Sequence, residues 1–385
     1  MSYEPAESSA SPFSPGLPAL YAVAFLSGIS LGLFNPFISA FMSQNNAGNI
    51  LIGLNSTLYF FVIAVGTPIV AAGIRKLGLR QVMMLGFAIM ALIPPLFPLS
   101  AEPSLWFLIR AVMGLGVCFY LISGQTAINF FCNDGNRAIA NGLDALFFSL
   151  GFGIGPVLGG FFYKTSPEIA FSVGSIFMLG GILVVFFGLP EKNIRFQPIK
   201  FGLFKQLSLP LQGAFAYGFS VSTLVSLYPS YLLQNSHDVE KIGFVFSVFM
   251  AGGLLATVPV TRLADRMSKY KVLAACTAVA LVALLGMPFT ENSTLILILA
   301  FIAGVGMTPI FPLSLALITS KLSVEDLPSG SALFTSAYSA GCTAGPILSA
   351  TIMALLGDGY IFSLMLLFFI VFAGLLFRPA MSKTV

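Results

Sequence analysis

Apolar residues in this chain come in long blocks, each about as long as a bilayer crossing, and the polar residues between them fall in short clusters. About 20 apolar residues span the hydrocarbon as a helix, and a helix leaves no backbone group unpaired in lipid. Cutting at the charged and turn-rich breaks predicts twelve helices. They run over 17–42, 50–73, 82–100, 104–129, 137–163, 170–189, 207–234, 242–262, 271–290, 294–319, 329–356 and 359–378. The fifth and sixth, and the eleventh and twelfth, are the least cleanly separated. The expected class is an all-α polytopic membrane protein.

Composition narrows the class further. Of 385 residues, 57% are apolar or aromatic and only 8% are charged, against about 25% charged in a soluble domain. Those values exclude a soluble globular domain, a disordered chain, a coiled coil and a collagen. The formal net charge of +4 does not call for a nucleic-acid partner, because its distribution follows membrane topology. With the N-terminus inside, Arg75, Lys76, Arg80, Arg137, Lys192, Arg195, Lys200, Lys205, Arg262, Arg266, Lys269, Lys271, Lys321, Arg378 and Lys383 all face inward. Only Lys164 and Lys241 fall in outward loops, and Arg110 lies inside a helix. Both termini are therefore expected on the cytoplasmic face of a plasma (inner) membrane. The divisions are a tail over 1–16, a six-helix half over 17–189, a cytoplasmic linker over 190–206, a second half over 207–378 and a tail over 379–385. Residues 1–16 are rich in Ser and Pro and hold no Lys or Arg, unlike a secretory leader, so the first helix is expected to stay in the membrane. Cys118, Cys132, Cys276 and Cys342 have no paired spacing, so no disulfide framework or metal site is expected.

The chain also resembles itself. Shifted by 190 residues, Ile52-Gly53 falls on Ile242-Gly243, Gly114-Leu115-Gly116 on Gly304-Val305-Gly306, and Gly151…Gly155-Pro156 on Gly341…Gly345-Pro346. One unbroken register across several helices reads as duplication. Two six-helix halves in parallel repeat form a transporter architecture, with the substrate site between them near the midplane.

Several motifs resemble those of the major facilitator superfamily, over nearly the whole chain. Arg110-Ala-Val-Met-Gly114-Leu-Gly116 is similar to the family's fourth-helix motif. Gly151-Phe-Gly-Ile-Gly155-Pro156-Val-Leu-Gly159-Gly160 is similar to the fifth-helix motif associated with drug/proton antiporters. Asp265-Arg266-Met-Ser268-Lys269 resembles the loop motif in its second-half copy. The first-half copy, Arg75-Lys76-Leu77-Gly78, has Arg where the family's acid usually sits. The resemblance implies gating and conformational roles for these segments, including Gly345 and Pro346 in the eleventh helix. Residue by residue the readings stay open. The Gly151, Gly155 and Gly159 face serves either plain close packing or switching, and Pro156 permits a bend. Arg75 and Lys76 serve either topology or closure of the cytoplasmic side.

Arg110 and Asp144 are the formal charges well inside a span. Intramembrane charges are costly and usually face a cavity or a partner. Their counterparts under the shift are Ala300 and Phe334, so the fold does not demand them. By helix rise, Arg110 lies about 9 Å from one face and Asp144 about 10 Å from the other, so a direct pair is not expected. Both are candidates for proton coupling, Asp144 the better. The alternatives are a snorkelling Arg110 and an Asp144 that caps or pairs near the inner surface. His237 lies in an outer loop and is expected to be solvated. From the family's cavity-lining helices, the resemblance implies substrate-binding candidates at Asn35, Tyr59, Gln125, Asn129, Asn141, Tyr217, Tyr228, Thr308 and Tyr338. With 39 Phe the cavity is expected to be amphipathic.

The leading expectation is a secondary transporter working by alternating access, exporting a small organic or amphipathic solute with proton coupling. It is expected as a monomer in lipid, without cofactor. A nutrient importer or uniporter of the same fold is the nearest rival, and a non-transporting membrane sensor the more distant one. Membrane enzymes need acid–base or ligand clusters at depth, and ATP-driven pumps need a phosphate-binding loop; this sequence carries neither.

Overall fold

The computed structural model of the chain describes residues 11–100, 102–132, 136–190, 207–322 and 326–377. Most of the expected linker, the first ten residues and the last eight lie outside them, as do Lys192, Arg195, Lys200, Lys205, Arg378 and Lys383. Among the described residues fourteen α-helical segments make twelve helices, two of them in two parts. The first half holds α1 (Leu17–Gln44), α2 (Asn49–Val65, continued as Thr67–Leu77), α3 (Leu79–Leu92), α4 (Pro103–Phe131), α5 (Arg137–Thr165) and α6 (Pro167–Gly188). The second half holds α7 (Ser208–Gln234), α8 (Val239–Arg266), α9 (Lys269–Gly286), α10 (Ser293–Met307, continued as Ile310–Lys321), α11 (Leu327–Leu356) and α12 (Ser363–Leu376).

Ten of these are long and apolar enough to cross a membrane, and the two parts of α2, bent by 51°, make an eleventh. The remaining helix, α7, has 27 residues, about 40 Å at the helical rise. Its apolar content is diluted by Ser220, Ser222, Thr223, Ser226 and Ser230, all buried. Three of these hydroxyls find partners inside the bundle: Ser222 donates to the Phe219 carbonyl, Thr223 stands 3.2 Å from Ser349 and Ser230 3.1 Å from Ser43, as enclosed membrane helices allow.

The ends of the helices follow from local chemistry. The sequence predicts the third helix to reach residue 100, but Pro94 and Pro95 end α3 at Leu92 in a 3-10 turn over Pro94–Leu96, since proline cannot donate to the preceding turn. Pro288 similarly turns the end of the ninth helix into the 3-10 segment Met287–Phe289. Asn46 and Ser236 adopt left-handed conformations, φ 62 and 60, in the tight turns after α1 and α7. They are counterparts under the 190-residue shift.

The same register governs packing. A methyl at Gly151 would strike the Phe25 carbonyl of α1, and one at Gly341 the Phe215 carbonyl of α7. Gly155 meets Ile29, and Gly345 meets Phe219, in the same way. Helix α5 therefore lies against α1, and α11 against α7, at backbone contact. Between hydrocarbon-clad helices no hydrophobic drive exists, and such close approach supplies the dispersion that holds each half together.

Candidate functional site

The halves meet along two seams related by the repeat. In one, α2 crosses α11: a Cβ at Gly53 would stand 2.8 Å from the Pro346 carbonyl oxygen, and Thr57 Oγ1 donates to the Thr343 carbonyl at 3.0 Å. In the other, α8 crosses α5: Gly243 lies against the Pro156 carbonyl, and Ser247 Oγ donates to the Gly153 carbonyl. Proline leaves its helix short of one backbone bond, and each hydroxyl is received in the turn that Pro156 or Pro346 loosens. The sequence motif thus has two faces. Gly151, Gly155 and Gly159 pack inside their own half, Gly159 against the Phe37 ring, whereas Gly153 and Pro156 present carbonyls to the other half.

Further contacts lie at the same end of the bundle. Asn49 Nδ2 donates to Asp358 at 2.7 Å, Lys164 pairs with Glu240 at 3.0 Å, and Ser230 Oγ stands 3.1 Å from Ser43 Oγ. Tyr228 is buried here, stacked on Tyr231 at 5.7 Å and beside Phe362, apart from the other substrate candidates. Burial and the neighbouring Lys241 hold His237 below its ordinary pKa, so it is neutral at neutral pH. None of Asn49, Thr57, Ser230 or Ser247 was singled out from sequence. Their polarity within apolar blocks was the available signal.

Toward the opposite end, polar side chains are open. Gln125, Asn129 and Asn141 are exposed, as are Thr335 and Ser336 of α11. Asn129 and Asn141 turn back onto the Gln125 and Arg137 carbonyls. Arg75, Lys76, Asp265 and Arg266 are exposed at the ends of α2 and α8, and Gly78 takes φ +88 in the turn that follows the first pair.

Between these ends lie two clusters. The first is polar and belongs to the first half. Arg110 is 1% exposed; its Nη1 donates to Asn35 Oδ1 at 3.0 Å, and its guanidinium carbon lies 4.1 Å from the centre of the Tyr59 ring. Asn35 and Tyr59 are themselves buried, and Arg110 Nε has no hydrogen-bond partner. The second cluster is aromatic and belongs to the second half. Tyr217 stacks on Tyr338 at 6.1 Å, Phe311 meets Tyr338 at 5.2 Å, and Phe334 meets Phe311 at 4.9 Å. Thr308 sits at the break in α10, its hydroxyl toward Gly253. Phe311 and Phe334 carry no mark in sequence, each being one phenylalanine among 39.

Asp144 stands elsewhere. It is half-buried on α5, within electrostatic reach of Tyr21, whose hydroxyl donates to the Pro12 carbonyl at 2.8 Å and whose ring stacks on Phe147. Among the described residues Asp144 forms no ion pair, with Arg110 or any other cation.

The model of the family described as the Major Facilitator Superfamily matches residues 20–210 and 211–384, one match per half. The uncharacterized MFS-type transporter YfkF of Bacillus subtilis is 26% identical over 349 residues, covering 85% of this chain and 86% of its own. The uncharacterized MFS-type transporter YcaD of Shigella flexneri is 23% identical over 341 residues, covering 87% and 88%. Among solved structures, a mutant of the nucleoside transporter NupG superposes with a TM-score of 0.77 at 12% identity, over 94% of this chain and all of that one. A bacterial homolog of the human lysosomal transporter Spinster, in an inward-facing and unoccupied conformation, gives 0.74 at 14%, over 94% and 95%. Duplicated halves, mirrored seams and a match across both halves lead to one statement: this multi-pass membrane chain belongs to the Major Facilitator Superfamily of transporters.

Proposed function

We propose that the protein is a secondary transporter that moves a small amphipathic organic solute out of the cell in exchange for protons. The carrying observation is the asymmetry between the two ends. Thr57, Ser247, Gly53 and Gly243 bind the halves together at one end, while Gln125, Asn129, Asn141, Thr335 and Ser336 lie open toward the other. Polar side chains in a membrane bundle point to water-filled space. With the N-terminus cytoplasmic, as the basic residues suggest, this is an inward-facing arrangement. The Spinster homolog, whose structure is described as inward-facing, has the same fold.

Two clusters support an amphipathic solute: an aromatic wall from Tyr217, Phe311 and Tyr338, and polar groups across the interface from it. Asp144 supports proton coupling. It is an acid with no ion pair among the described residues, on the helix that forms the α5–α8 seam, so a change in that seam alters its surroundings and with them its proton affinity. The motif of α5 supports export by its resemblance to that of antiporters.

The test is flux in proteoliposomes with an imposed pH gradient. Asp144→Asn is expected to abolish gradient-driven flux while sparing substrate counterflow. Unchanged gradient-driven flux in this variant assigns Asp144 a structural role, and gradient-independent flux in the wild type removes proton coupling from the mechanism.

A further inference from the structure

The guanidinium of Arg110 is a permanent charge in an enclosed place. Arginine keeps its proton in proteins, so this group neither donates nor accepts one in a transport cycle. A cation so deep in a membrane protein is expected to have a counter-ion. Among the described residues no carboxylate pairs with it; its partners are the neutral Asn35 amide and the face of the Tyr59 ring. Its Nε is buried without an acceptor. Asn35 is the conspicuous member, since a single change to Asp would neutralise the site without altering its shape.

The repeat shows that the fold has no use for this charge. Under the shift that superposes the seams, Asn35, Tyr59 and Arg110 correspond to Val225, Phe249 and Ala300. The second half builds the same helix crossing from apolar groups, all of them buried. The backbone contact is also the same: Gly114 lies against the Tyr59 carbonyl, and Gly304 against the Phe249 carbonyl. An uncompensated cation has thus been placed on one half of a symmetric scaffold that packs without it.

Tyr59 connects this charge to the other half. It lies within electrostatic reach of Cys342 on α11, and Tyr338 on the same helix belongs to the aromatic cluster with Tyr217 and Phe311. Resting on the transporter reading above, we propose that the solute is a small amphipathic organic anion of the carboxylate type. Its oxygens take the unused Nε edge of Arg110, and its apolar body lies against Tyr217, Phe311 and Tyr338. The Tyr59 ring, which covers the guanidinium in the empty site, swings aside to admit the anion. An arginine edge suits this ligand because Nε and an Nη nitrogen present parallel donors to two oxygens. The unpaired charge also repels cationic solutes of the same shape.

The molecule contains its own reporter. Trp106, the single tryptophan, lies one helical turn before Arg110 on α4 and is buried against Phe97. Its fluorescence is read in the purified full-length protein during titration with three probes that differ in charge alone: 3-phenylpropanoate, 3-phenylpropanamide and 3-phenylpropylammonium. The carboxylate is expected to bind about tenfold more tightly than the other two, the difference of one charge-assisted contact. Asn35→Asp supplies an internal counter-ion and is expected to remove that preference while the protein stays folded. Arg110→Lys, which keeps the charge but loses the paired donors, is expected to weaken that preference without reversing it. The proposal is overturned if the carboxylate does not bind, if the amide or ammonium binds as well, or if Asn35→Asp keeps the preference. Flux of the same probes in proteoliposomes separates the two readings. Binding of the carboxylate without flux of any probe leaves the anion site standing and removes the transporter, whereas flux of the amide or ammonium alone keeps the transporter and removes the anion site.

Discussion

A methyl group added at Gly155 has nowhere to go. It would collide with the Ile29 carbonyl oxygen and sit 3.0 Å from the carbonyl carbon and 3.1 Å from Cα, all of them backbone atoms of α1. Side chains can rotate out of the way, but a helix backbone must move as a body. Overpacking of this kind costs roughly 1–3 kcal/mol. Gly155→Ala is expected to lower the thermal midpoint of the purified protein, and Gly374→Ala, which meets nothing within 4 Å, is expected to leave it unchanged. Equal midpoints for the two variants would show that α1 yields to α5 freely. Arg110, Asn35 and Tyr59 make the opposite point at this scale. Only one of the three carries a visible charge in sequence; the other two matter because α1 and α2 deliver them to it.

At the scale of elements, the working parts are pairs of helices. Helices α5 and α11 each have a face for their own half and a face for the other. The inner face is glycine against the backbone of α1 or α7; the outer face offers carbonyls to hydroxyls on α8 or α2. The motif Gly151…Gly159 was legible in the sequence as one helix face, but its partner was not, because a glycine stripe does not say which backbone it meets. Under the 190-residue shift, Ser349 and Ala350 stand where α5 has Gly159 and Gly160. Ala350 forms part of the surface that meets Gly53, Ser349 lies 3.2 Å from Thr223, and the two seams match at their glycine–proline contacts. Hydroxyl bonds between membrane helices average about 0.6 kcal/mol. Removing both with Thr57→Val and Ser247→Ala is expected to shift the inward–outward equilibrium toward the outward state by roughly 1 kcal/mol, about fivefold. Spin labels at Asn45 and Asn235, both exposed at the sealed end, read this as growth of a longer-distance population. An unchanged distance distribution means that glycine packing alone holds the seams.

For the whole molecule the question is which end faces which compartment. The four native cysteines are buried, so a cysteine-free background is the starting point for labelling. Cysteines at Asn46 and Ser293 are expected to react with an impermeant reagent in intact cells, and those at Asn193 and Ser323 only after the membrane is opened. Reversal of either pair overturns the proposed orientation. Both Asn193 and Ser323 lie outside the described residues, so this expectation rests on the distribution of Lys and Arg alone.

The sequence by itself determined the helices, their approximate ends and the duplication. These are properties of contiguous residues: the length of an apolar block, the place of a proline, a pattern recurring at a constant offset. Even α7, too rich in serine to pass as apolar, was placed by its position between two breaks. The sequence also marked Arg110 and Asp144, because a charge in an apolar block stands out whatever surrounds it. The tertiary structure alone decided what those charges face. That Arg110 meets an amide and a ring rather than a carboxylate depends on how α1, α2 and α4 cross. That Asp144 comes within reach of Tyr21 depends on α1 beside α5. The closing of one end rests on backbone carbonyls meeting glycines and hydroxyls, and every residue has a carbonyl, so nothing in the residue types marks the ones used. Local hydrophobicity sets each helix in the membrane; the choice of partners comes from atomic fit between helices far apart in the chain.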